Sequence, residues 1–262
     1  MRVDREDEIL APEFPPRLDW LGVAFLRMDQ LLREGPVLVE FWDHARINSL
    51  RTLPYMRKWH ERYRDLGLRV IGVHSPGYSF GRERDTVAAA VERLEVNYPV
   101  VLDPDLAVWR LYGNKGWPAR YLFEPGGHLR YIHYGEGDYA DCEIAIQECL
   151  HEAHPSAELP PLVEALRPED EPGVMLAAQT ADIALPGERD RVELVRDWTD
   201  GEDFIEARDA GAAASVSFSA GGAYAVLSGT GVPGPYETDG TVVAESPGLR
   251  LHGFQFIPAP PA

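Results

Sequence analysis

Residues 37–42, Val-Leu-Val-Glu-Phe-Trp, are apolar at every position except Glu40. That is the pattern of a central strand covered on both faces. The spacing then turns helical. Over 49–66, Leu53, Met56, Trp59, Tyr63 and Leu66 fall on one face and Gly67 ends the run. Pro54 lies inside it and removes one amide donor, which predicts a kink. A strand follows over 69–74, parallel to the first because a helix crosses between them. Next come a helix over 84–96, a short strand over 99–102 and a short helix over 106–112 stopped by Gly113. Strands over 120–123 and 129–133 flank Glu124-Pro125-Gly126-Gly127, a hairpin turn by composition. A last helix runs from 139 to about 153, with Asp138 expected as its cap and Asp141 favouring its N-terminus. The order is β-α-β followed by β-β-α.

The pattern changes after 153. Residues 154–180, with Pro155, Pro160, Pro161, Pro168 and Pro172 among acidic side chains, read as a linker that can either pack or span. Short strands over 204–207, 215–219, 223–228, 241–244 and 249–257 are separated by Gly, Pro and Asp turns. They predict a small all-β sandwich over 181–262, behind an α/β domain over 1–153.

A chain of 262 residues, 45% hydrophobic, can build one large domain or two modest ones. Its formal charge of −18 argues against nucleic acid and acidic membrane surfaces as partners, since phosphate binding needs clustered Lys and Arg. Residues 1–8 are charged with no apolar stretch behind them, so no secretory signal is expected. No run approaches the ~18 apolar residues that span a bilayer. These features predict a cytoplasmic protein without a membrane segment.

Trp42, Asn48, Arg51, Thr52, Leu53 and Pro54 fit the pattern W-x-x-x-C-x-N-C-x-R-T-L-P. Further matches are Gly72-Val73-His74, Trp117-Pro118-Ala119 and Gly135-Glu136-Gly137-Asp138-Tyr139, with Ala11-Pro12-Glu13-Phe14 and Trp20-Leu21 upstream. Over about residues 11 to 153 the chain resembles the thioredoxin-like region of DipZ-type proteins, within the redoxin (AhpC/TSA-TlpA) superfamily. The resemblance implies a thioredoxin fold and an ancestry in thiol-disulfide chemistry. It also implies a carbohydrate-binding-module-like sandwich after the redoxin domain, to which residues 223–231 and Phe254-Gln255-Phe256 look similar. At the two cysteine positions this chain carries Arg46 and Ser49.

A redoxin's first cysteine lies at a helix N-terminus that stabilises a thiolate. Arg46 reverses that electrostatic logic. Ser49 reads as an N-cap, or as a nucleophile with His44 as base, which would also need a third group and an oxyanion hole. Arg46, the Asn48 amide and the helix amides could form a small anion site. Trp117-Pro118 stands where the resemblance implies a cis-proline, beside which relatives pair with an extended peptide. Trp42, Trp117 and His74 are candidate walls for such a ligand. Cys142 and Cys149 share one helix face ~10 Å apart, too far for a disulfide, and read as buried structural thiols. Cys149, His151 and His154 match no common zinc spacing, so neither metal nor cofactor is expected. Trp198, Phe204, Tyr224 and Tyr236 are candidates for stacking on sugars.

Three readings stand open. One is a redox-inactive binding or accessory protein engaging an extended peptide, a protein or a small anion at the Arg46/Pro118 face. Another is a thiol-disulfide or peroxide oxidoreductase with non-standard chemistry. The third is glycan binding through the sandwich.

Overall fold

The computed structural model describes residues 1–3 and 9–260; the charged stretch over 4–8, part of the leader reading above, lies outside them. The chain divides into two units. The first comprises Met1–His44, Asn48–Pro76 and Gly81–Pro172.

Its sheet is built from β1 (Trp20–Leu21), β2 (Val37–Trp42), β3 (Arg69–His74), β4 (Val100–Leu102), β5 (Ala119–Phe123) and β6 (Leu129–Tyr134), in the order β1-β4-β3-β2-β5-β6. The pairs β2/β3 and β3/β4 are parallel, while β5 and β6 run antiparallel as a hairpin beside β2. The helices are α1 (Met28–Glu34), α2 (Ile47–Tyr63), α3 (Arg84–Arg93), α4 (Ala107–Leu111) and α5 (Tyr139–Ala153). Every residue of β2 is buried, Glu40 included, as a central strand with an apolar run on both faces requires. Alternation sorts that run onto two cores. Leu38 and Trp42 join Met56, Trp59 and Tyr63 of α2 and Cys142, Ile146 and Cys149 of α5. Val37, Val39 and Phe41 join Met28, Leu31, Ile71 and Val108.

Two end-caps differ from expectation. Helix α2 begins at Ile47, so Ser49 sits inside its first turn rather than at the cap. Its hydroxyl accepts the Asp43 amide at 3.2 Å. Asp138 occupies the residue before α5, yet it is left-handed (φ 49°) and makes no side-chain cap bond. Its carboxylate instead lies 3.0 Å from His133 Nδ1. Helix α3 ends at Arg93, earlier than predicted.

The proline-rich stretch after α5 packs as far as Pro172. Gln147 Nε2 donates to the Pro160 carbonyl (2.7 Å), the Val163 amide to Glu143 Oε2 (2.9 Å) and the Leu166 amide to the Tyr55 hydroxyl (2.7 Å).

The second unit comprises Ala45–Ile47, Gly77–Phe80 and the chain from Gly173 on. It is rich in strands: β7 (Ile183–Ala184), β8 (Glu193–Val195), β9 (Trp198–Asp200), β10 (Ile205–Ala207), β11 (Ala213–Ser215), β12 (Gly222–Ser228), β13 (Gly234–Thr238), β14 (Thr241–Val243) and β15 (Arg250–Ile257). One sheet runs β13-β12-β15-β10-β9 with β7 also on β15, and a smaller one runs β14-β11-β8. A single core holds Ile205, Phe254 and Phe256 of the first with Ala214 and Val242 of the second. Gly253 is required where β7 meets β15, since a Cβ there would come 2.0 Å from the Ile183 carbonyl oxygen. The predicted strand over 215–219 lies earlier, at Ala213–Ser215. Strands β7, β8, β9 and β13 escaped the sequence reading because they are short and mostly not buried, so no alternation marks them.

Candidate functional site

Parallel β2 and β3 end together, with Trp42 opposite His74 in register. The open ends of parallel strands are where α/β sheets place their ligands. Backbone bonds fix the loops that leave them. The Ser75 amide donates to the Trp42 carbonyl (3.1 Å), and the Asp103 amide to the His74 carbonyl (2.9 Å). Asp103 then caps α4, accepting the Val108 and Trp109 amides at 2.9 Å each and the Ser75 hydroxyl at 3.0 Å.

At this end Asp43, His44 and His74 converge, all buried. The imidazoles of His44 and His74 stack with centroids 5.0 Å apart, and the Trp42 ring meets His74 edge-on at 5.1 Å. His44 Nδ1 and His74 Nε2 are 2.9 Å apart, a hydrogen bond between rings. Asp43 Oδ1 lies 3.7 Å from His44 Nδ1 and 3.6 Å from His74 Nε2. Burial pushes His44 down to about 4 despite the neighbouring Asp43 carboxylate, so it is neutral at neutral pH.

Below, on β2, Glu40 is fully buried and accepts the Tyr98 hydroxyl at 2.9 Å. Burial raises it to about 8, against the lowering effects of that bond and of Arg120.

Of the residues proposed from sequence, Trp42, His44, Ser49, His74 and Pro118 are buried, while Arg46, Asn48 and Trp117 are partly exposed. The bond between Trp117 and Pro118 is cis. The Trp117 indole donates to the Ser75 carbonyl (2.8 Å), and the Pro118 carbonyl accepts the Gly135 amide (2.7 Å). Asn48 gives its carbonyl to the Thr52 hydroxyl (3.1 Å). Arg46 belongs to the second unit, its guanidinium 4.7 Å over the Tyr78 ring. In the same unit the Gln255 side chain accepts the Ile47 amide (2.7 Å) and donates to the Ala45 carbonyl (2.9 Å). Two groups assigned to an anion site, Arg46 and the first helix amide, are thus engaged.

Other motif residues hold structure together. Arg51 bridges Glu136 and Glu169 at 2.7 Å each, and the Thr52 and Tyr139 hydroxyls are 3.1 Å apart. Cys142 and Cys149 are free and buried, and burial pushes them to about 11 and about 12.

In the second unit Ser228 Oγ is 2.7 Å from His252 Nε2, and Asp203 Oδ1 is 3.4 Å from His252 Nδ1. Asp203 also accepts the Ser79 amide and hydroxyl, and Phe80 and Phe204 pack on the imidazole. Among the sugar-stacking candidates, Trp198 is a core residue and Tyr236 is exposed.

Sequence reasoning named His44 and His74 separately and missed Asp43 and Glu40. The signal was present: once β2 and β3 are drawn parallel and in register, the Asp43-His44 pair must fall beside His74.

Residues 22–132 match the AhpC/TSA family. The chain is 36% identical over 172 residues to protein DipZ of Mycobacterium bovis, covering 65% of this chain and 25% of DipZ. It therefore spans about a quarter of the length of that relative. It is 26% identical to the thiol-disulfide oxidoreductase YkuV of Bacillus subtilis, over 54% of this chain and 94% of that protein. The solved structure of a thioredoxin-like superfamily protein superposes with a TM-score of 0.50 at 19% identity, covering 58% of this chain and 99% of the other. Among the described residues no helix is long and apolar enough to cross a membrane.

Proposed function

We propose, from a chain whose residues 22–132 match the AhpC/TSA family, a binding or accessory protein that keeps the thioredoxin-like scaffold and has given up thiol catalysis. One observation carries this reading. The chain's two cysteines are buried in α5, with thiols pushed to about 11 and about 12, and the turn from β2 into α2 holds no sulfur. Disulfide exchange needs an accessible thiolate, and a buried thiol with a raised pKa supplies none at neutral pH. The positions that the family resemblance assigns to catalytic sulfur are Arg46 and Ser49, neither of which can form a mixed disulfide.

The ligand this reading favours is an extended peptide or protein segment at the partly exposed Trp117, beside Pro118. Strand-like pairing of that kind depends on backbone and packing and needs no cysteine. A second reading, a carbohydrate-binding role for the second unit, rests on exposed Tyr236 and predicts that Tyr236→Ala abolishes retention on polysaccharide.

The deciding experiment is turnover of disulfide and peroxide substrates by the full chain and by a Cys142→Ser/Cys149→Ser variant, with the same reductant. Neither is expected to exceed buffer. Turnover by the wild type that disappears in the variant would make the protein an oxidoreductase with relocated chemistry. Partner capture with and without Trp117→Ala then tests the binding face, and unchanged affinity for each captured partner would sink it.

A further inference from the structure

The cluster of Asp43, His44 and His74 has no part in the reading above, and its donor atoms meet a geometric condition that hydrogen bonding alone does not impose. Oδ1 of Asp43, Nδ1 of His44 and Nε2 of His74 form a triangle with sides of 3.7, 3.6 and 2.9 Å. A point equidistant from these corners lies about 2.0 Å from each, which is the usual length of a zinc–imidazole or zinc–carboxylate bond. All three residues are 0–1% exposed, and they form a single group of metal-ligating side chains.

We propose that Asp43 Oδ1, His44 Nδ1 and His74 Nε2 bind one divalent first-row transition metal ion of zinc type. The donor set selects the class. Two imidazoles and one carboxylate suit zinc, iron, cobalt or nickel, whereas magnesium and calcium require shells of oxygen. The site is held by backbone rather than by mobile loops. Asp43 and His44 directly follow β2, His74 closes β3, and the register Trp42 to His74 sets their separation. The Asp43 amide is further tied to Ser49 Oγ, which fixes the carboxylate's starting point. Pre-organisation of this kind is what a metal site needs from its scaffold.

Protonation is compatible with ligation. A ligating imidazole is neutral, with a lone pair on the coordinating nitrogen. In the metal-bound form both facing nitrogens present lone pairs, so His44 carries its proton on Nε2. The inter-ring hydrogen bond is then replaced by two bonds to the ion. A dication also offsets the charge of a carboxylate held away from water. Three protein ligands leave at least one coordination position for water or another donor.

The test uses the full chain, treated with chelator and then given Zn²⁺ or Co²⁺ by dialysis and, because the donors are buried, also during refolding from urea. One equivalent of metal per chain is expected to survive gel filtration, and the Co²⁺ form is expected to show ligand-field absorption in the visible. A His44→Gln/His74→Gln variant is expected to lose both. A His151→Gln/His154→Gln variant, altered at two exposed histidines, keeps them. Failure of the wild type to retain an equivalent, or equal retention by the His44→Gln/His74→Gln variant, overturns the proposal. Should that variant not fold, X-ray absorption on the wild-type Zn²⁺ form decides. Two imidazoles and an oxygen in the shell support the site, and fewer than two imidazoles refute it. No partner or substrate enters the measurement, so its outcome stands apart from that of the binding reading.

Discussion

Two buried residues on and beside β2 titrate in opposite directions, and together they predict how stability depends on pH. Glu40 is raised from 4.5 to about 8 by burial. Its contribution is complete below pH 4.5 and is lost as pH rises toward about 8. His44 is lowered from 6.5 to about 4, again chiefly by burial. Its contribution is present above pH 6.5 and is lost as pH falls toward about 4. Between 4.5 and 6.5 the slopes oppose each other; above 6.5 only Glu40 still changes. Stability in the presence of chelator should therefore fall between pH 6.5 and 8 by on the order of 2 kcal/mol, at about 1.4 kcal/mol per pH unit. Urea midpoints measured across that range should show the fall in wild type and a flat profile in Glu40→Gln. Parallel profiles for the two proteins would contradict the assignment. Glu40 illustrates what a sequence hides at this scale. Its identity was visible as the one charged letter in an apolar run, but its protonation is set by burial, against the opposing pull of Tyr98 and Arg120, and all three exist only in the fold.

Elements were far more legible than their ends. The strand at 37–42 and the helix from 139 to 153 could be read directly because burial on both faces, or on one helical stripe, writes a period into the chain. The caps were misread where local chemistry offered a decoy. Ser49 and Asp138 have the side chains of caps, but Ser49 lies within the first turn and Asp138 faces His133. The motif residues Arg51 and Glu136 serve a structural purpose that spacing could not reveal. Arg51 on α2 binds Glu136, in the loop before α5, and Glu169 in the packed stretch beyond it. Its side chain is only 12% exposed, so removing it leaves two poorly hydrated carboxylates with Arg167 alone as cation, at the longer distances of 3.8 and 3.9 Å. Arg51→Met should cost about 3 kcal/mol, the scale for breaking a buried pair from one side. A shift in urea midpoint corresponding to less than about 1 kcal/mol would show that solvent screens the pair as at an ordinary surface.

For the whole molecule, the division into units is not a division of the chain at one point. The sequence was read as three consecutive pieces ending in a sandwich over 181–262, but the second unit also takes in Ala45–Ile47 and Gly77–Phe80. No local pattern marks those seven residues, since their membership is decided by side chains 124 to 210 positions away. Ala45 and Tyr78 share a small core with Val226, with Phe80 packed against it. Gln255 bonds to the Ile47 amide, the Ala45 carbonyl and the Tyr78 hydroxyl. Asp203 holds the Ser79 amide and hydroxyl. A fragment beginning at residue 173 lacks every one of these partners, and its remaining core relies heavily on alanine, at 207, 212, 214, 223, 225 and 244. Small side chains bury little apolar area, so this core has little reserve. The fragment 173–262 is therefore expected to unfold at a lower temperature than the β-rich unit does in the full chain, and to bind a hydrophobic dye that the full chain excludes. Gln255→Leu in the full chain tests the same dependence without truncation. The Ile47 amide then loses its acceptor, at about 1–3 kcal/mol for a buried group left unsatisfied. If the fragment melted cooperatively at the full-chain temperature and Gln255→Leu were neutral, the seven residues would be passengers on a unit that folds without them.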